Sequence, residues 1–200
     1  HLPYGPDGGV YMIDWYDKNA CHRHTPEIWD RTTGRIFKIT YGDQKRNTAK
    51  AADWKDLRFA SAQQLVELQS HPNDWYVRTA RRLLQQRDID PAATRHLEAM
   101  LLDDALATPR RLRALWALHV TSGLSESLVA KLLADADQHL RAWAIQLELE
   151  DRQISDALRK QLEDLAQRDS SPVVRLYLAS ALQRLPVKDR WTLAQHLVKR

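Results

Sequence analysis

The chain has 200 residues, 44% hydrophobic and 28% charged, enough for a folded core, and no run approaches the ~20 apolar residues that cross a bilayer. Its 30 Lys and Arg against 26 Asp and Glu leave a net charge of +4 spread without a block, so charge selects neither nucleic acid nor a membrane surface. The single cysteine, Cys21, excludes an internal disulfide framework.

Residues 3–39 read as turn, strand, long loop, turn and strand. In Gly5-Pro6-Asp7-Gly8-Gly9, Pro6 presets φ, Asp7 tolerates turn geometry, and Gly8 and Gly9 are expected to supply positive φ. The strand expected over Val10–Trp15 is apolar on both faces, as in a packed sheet. After the turn Thr32-Thr33-Gly34, Arg35–Ile39 alternates, with Ile36 and Lys38 opposite Phe37 and Ile39. The two strands are expected to pair antiparallel and to pack on the first helices. A hairpin alone is marginal in water, so the chain is expected to begin inside a β domain.

Between the strands, Cys21, His22 and His24 form the densest cluster of candidate metal ligands, with Glu27 or Asp30 as a fourth. The spacing is neither a zinc-finger pattern nor the Cys-x-x-Cys-His of haem attachment. The other reading is a polar loop whose histidines bond to their neighbours.

The Pro-Asp-Gly-Gly turn, the Asp14-Trp15-Tyr16 strand end and the Gly34-Arg35-Ile36-Phe37 strand together resemble the last blade of a β-propeller of the glucose/sorbosone dehydrogenase type. The resemblance makes residues 1–41 half of a four-stranded blade. Residues 42–60 read as a linker.

From Ser61 to the end, helical spacing dominates and the fold class is mainly α. Ser61 is read as the cap of a helix carrying Leu65 and Leu68, and Asn73 or Asp74 as the cap of one carrying Val77, Ala80, Leu83 and Leu84. The next pair runs from Pro91 through Leu101 and from Thr108 to Val120. Pro109 fits the first helical position and Gly123 the site past the end. Ser125 and Asp137 open the third pair, Ser155 and Ser171 the fourth, and a last helix carries Trp191, Ala194 and Leu197.

An apolar residue followed by arginine recurs as Val77-Arg78, Leu112-Arg113, Leu140-Arg141 and Val174-Arg175, in steps of 35, 28 and 34 residues. With Asp74 and Asp137 four residues before two of these arginines, the pattern resembles HEAT repeats, which implies an α-solenoid of about four helix pairs plus a final helix. Arg78, Arg113, Arg141 and Arg175 read either as an anion or nucleic-acid rail, or as a structural ladder with Asp74 and Asp137. The ladder is favoured because stacked repeats need satisfied polar groups between them. The stretch Arg78–Arg87 and the pair Arg110-Arg111 read as solvated faces. Trp116 and Trp143 read as core, while Trp75 and Trp191 fit either packing or partner contact.

A propeller end followed by HEAT-like repeats resembles the planctomycete-type membrane-bound dehydrogenase proteins. That resemblance implies a periplasmic or cell-surface redox protein, with pyrroloquinoline quinone and haem c held by other parts of the chain. These residues would then form a non-catalytic spacer and docking arm for other domains or a protein partner. The alternatives are a pure interaction scaffold and, less favoured, a nucleic-acid-binding solenoid.

Overall fold

A computed structural model describes residues 2–14, 34–40 and 56–199. Within them the protein is mainly helical, with one small antiparallel sheet. The Cys21/His22/His24 loop lies outside the described residues.

The sheet pairs β1 (Val10–Ile13) with β2 (Ile36–Ile39), in the register Val10 to Ile39 and Ile13 to Ile36. Strand pairing thus follows the expectation over four residues. The packed-sheet expectation does not hold among the described residues, where Ile13 is 66% and Ile36 75% exposed. In the turn, Gly8 donates to the Gly5 carbonyl at 3.0 Å and has φ of +75°. Gly9, contrary to expectation, does not share the positive φ; its amide donates to Asp7 Oδ1 instead, at 3.0 Å. Asp7 also accepts from Tyr11 and pairs with Lys38 at 2.5 Å, and these contacts hold its carboxyl down at about 2.

Among the described residues the first helical turn is Leu57–Phe59, a short 3-10 turn within the stretch read as linker. There Leu57 and Ala60 are already buried. Next come α1 (Ala62–Glu67) and a second 3-10 turn over Leu68–Ser70. Ser61 and Gln64 form a reciprocal capping box at the start of α1. The helix tightens early because His71 precedes Pro72, and a residue before proline avoids helical geometry.

The remaining helices are α2 (Asp74–Gln85), α3 (Pro91–Leu102), α4 (Thr108–Thr121), α5 (Glu126–Leu133), α6 (Gln138–Glu148), α7 (Asp156–Arg168), α8 (Pro172–Ala181) and α9 (Trp191–Val198). Asn73, Asp137 and Ser171 cap α2, α6 and α8, and Ser125 and Ser155 cap α5 and α7. At the start of α4 the structure differs by one residue. Ala107 is the cap and Pro109 the second helical position, because the Thr108 hydroxyl donates to Asp137 instead of capping its own helix. Gly123, at φ +76°, closes α4 by returning its amide to the Leu118 carbonyl at 3.0 Å.

Each even-numbered helix packs on its odd-numbered predecessor, and α2, α4, α6 and α8 also touch in succession. On the other side α1 meets α3, α5 meets α7, and α7 meets α9. One buried cluster runs from Leu57 to Leu193 between these layers, with Leu84, Leu97, Leu115, Leu140 and Leu162 almost wholly enclosed. Apolar burial of this kind contributes about 25 cal/mol per Å² removed from water and dominates the favourable side of folding.

Candidate docking face and its arginines

The polar groups between helix pairs are arginines four residues past a helix cap. Arg111 follows Ala107, Arg141 follows Asp137, and Arg175 follows Ser171. Arg111 Nη2 lies 2.5 Å from Asp135 Oδ2, and its Nε donates to the Leu101 carbonyl at 2.8 Å. Arg141 grips Asp169 with two nitrogens, at 2.7 and 3.1 Å, and donates to the carbonyls of Asp135 and Ala136. Arg175 ties the Ala166 carbonyl to that of Leu197, at 3.0 and 2.7 Å.

Asp135 and Asp169 occupy equivalent posts. Each sits two residues before a cap and accepts that cap residue's amide at 2.8 Å. Burial pushes the Asp169 carboxyl up, but the Arg141 guanidinium and the Ser171 amide outweigh it and hold the group below the ordinary carboxylate range. Arg111, read from the sequence as solvated, is 6% exposed. Counting from the cap rather than from the apolar-arginine pair would have found it, had a polar cap marked the start of α4.

The arginines and aspartates singled out in the sequence fall as follows. Asp74 receives Arg113 at 3.1 Å from the neighbouring pair and Arg78 at 3.1 Å from its own helix, and accepts the Tyr4 hydroxyl at 2.9 Å. Arg113 also donates to the His71 carbonyl at 3.1 Å. Asp137 meets Thr108 and caps His139, while Arg141 passes it by for Asp169. Asn73 joins the hairpin to the helices, its Nδ2 donating to the carbonyls of Gly5 and Pro6 at 3.2 and 3.1 Å.

On the even-numbered helices the half-buried rings form a row. Trp116 of α4 meets Trp143 of α6 edge-on at 5.0 Å, and Trp143 meets Tyr177 of α8 at 6.3 Å. Arg81 of α2 lies over the Trp116 ring at 5.3 Å. Both tryptophans, expected in the core, are partly exposed, and Trp143 packs against the buried cluster from its edge. Trp191 is 65% exposed, and Trp75 packs edge-on against Tyr76 at 5.1 Å.

A separate cleft of about 320 Å³ lies where α4 and α6 end, lined by His119, Glu148, Glu150 and Asp151. His119 and Glu150 are in contact across it. Burial, then the charges of Asp151 and Glu126, push the Glu148 carboxyl up to about 7. Among the described residues no group of three or more His, Cys, Asp and Glu is arranged to hold a metal ion. No described helix is long and apolar enough to cross a membrane. Comparison with family models, curated proteins and solved structures finds no match to this chain.

Proposed function

We propose that the helical part is a HEAT-like α-solenoid arm that spaces and docks protein domains. The observation that carries this is the inter-pair polar network. Arg111–Asp135 and Arg141–Asp169 repeat one arginine–aspartate pairing, each arginine also bonded to backbone carbonyls, across successive pairs, as expected of units that stack on their neighbours. Stacking in that manner leaves the even-numbered helices as a continuous face for a partner. A photo-crosslinking residue tests it when placed at Gln85 or Ser180, exposed positions on α2 and α8, or at Lys131 or Lys160 on α5 and α7. Protein adducts from the even-helix positions alone are expected in cells. Adducts from none of the four remove the docking role.

The hairpin favours a second layer of this reading, in which the arm belongs to a redox protein of the glucose/sorbosone dehydrogenase type at the periplasm or cell surface. Its Pro6-Asp7-Gly8 turn docks on the start of α2 through Asn73, as a joint between a β domain and a helical arm would. Pyrroloquinoline quinone and haem c would then be held outside the described residues, none of which is assigned to either group. Dye-linked oxidation of sugars or alcohols by the polypeptide of the whole gene, supplied with the quinone, tests this layer. Absence of turnover leaves the plain scaffold.

A further inference from the structure

The row Arg81–Trp116–Trp143–Tyr177 has at one end a cation that, among the described residues, makes no ion pair of its own. Arg78, Arg81 and Arg113 cluster at the α2 end of the even-numbered helices, and Asp74 is the carboxylate they share. Arg78 and Arg113 both bond to it. Arg81 has no hydrogen bond or ion pair among the described residues, although it is half-buried and its guanidinium lies 5.3 Å from the Trp116 ring centre. A partly desolvated guanidinium that only shares a distant carboxylate with two other arginines is costly, and a second carboxylate is its natural complement, planar and bidentate.

We propose that this row is the docking site for an extended peptide segment bearing one carboxylate followed by alternate apolar side chains. The proposal rests on the docking-arm reading above. The carboxylate bonds to Arg81, and the apolar groups lie along Trp116, Trp143 and Tyr177. Side chains on one side of an extended chain recur every ~6.7 Å. The row steps by 5.3, 5.0 and 6.3 Å, a comparable spacing. A single-stranded nucleic acid also stacks on such rings, but it needs cations along its length. Here Arg78, Arg81 and Arg113 gather at the α2 end, Arg184 meets the Gln146 carbonyl near the other end, and Glu148, Glu150 and Asp151 gather where α4 and α6 finish.

The test uses the whole chain and a fluorescein-labelled peptide, Asp-Ser-Leu-Ser-Phe-Ser-Leu, followed by anisotropy. Saturable binding is expected, weakened at least about tenfold by Arg81→Glu and by Arg81→Gln, and unchanged by Lys160→Glu on α7. A peptide with Lys in place of Asp is expected to prefer the Arg81→Glu variant, a swap that general destabilisation would not produce. The Arg81→Gln variant, with its helical circular dichroism compared to the parent, guards against a folding defect. Unchanged affinity in both Arg81 variants overturns the proposal, as does no binding by the parent at about 1 mM. Tighter binding of an oligo-dT of about 20 nucleotides that displaces the peptide also overturns it, in favour of nucleic acid. Crosslinks from Gln85 and Ser180 without peptide binding would leave the docking arm standing and remove only this partner chemistry.

Discussion

Arg141 and Asp169 are worth more to the fold together than either is alone. The Asp169 side chain is 4% exposed, and Arg141 supplies two of its bonds. Removing Arg141 takes two charge-assisted bonds from a buried carboxylate, so Arg141→Ala is expected to cost about 3 kcal/mol in urea unfolding. Arg141→Leu with Asp169→Leu is expected to recover part of that loss, the remainder being the Ser171 amide that Asp169 also satisfies. Glu148 behaves in the opposite sense. Its folded pKa, about 7, lies above the unfolded value of 4.5, so the folded state binds the extra proton between those limits. Stability therefore falls as pH rises from about 4.5 to about 7 on account of this group. Glu148→Gln is expected to raise the Tm at pH 8 and to leave it nearly unchanged at pH 4, as differential scanning calorimetry would read.

At the scale of elements, junctions carry the information. Asn73 both caps α2 through Oδ1 and holds the hairpin turn through Nδ2. Asn73→Asp keeps an acceptor for the cap and loses the donor. Faster hydrogen exchange at the Gly8 and Gly9 amides is expected, with α2 unchanged. The loop between α6 and α7 holds Arg152 at φ +64°, in the left-handed region that a side chain disfavours. Arg152→Gly is expected to stabilise the protein by about 1 kcal/mol, measured as a shift in the urea midpoint.

For the molecule as a whole, the continuous core from Leu57 to Leu193 couples the pairs. Leu118 is 1% exposed in α4, which touches α2, α3 and α6. Leu118→Ala is expected to cost about 2–5 kcal/mol and to lower the midpoint equally by tryptophan fluorescence and far-ultraviolet circular dichroism. Separate midpoints for the two probes would mean that the pairs unfold as nearly independent units.

Helix caps at Ser61, Asn73, Ser125, Asp137, Ser155 and Ser171 and the apolar spacing behind them were legible in the sequence, because capping and amphipathicity act within one or two turns. The antiparallel pairing of the two strands was legible too, from β-branched and aromatic runs bounded by turns, while their register came from the structure alone. Tertiary structure alone decided which arginine bridges which pair. Arg111 lies inside and Arg113 reaches back to Asp74 because Thr108 spends its hydroxyl on Asp137 and α4 starts one residue early. It also decided that Trp116 and Trp143 form a half-open row beside an Arg81 that makes no ion pair among the described residues, since neither the facing helix nor the charge it brings is written in local spacing. Short-range bonding is encoded next to the residue that makes it; burial and charge balance depend on neighbours some thirty residues away along the chain.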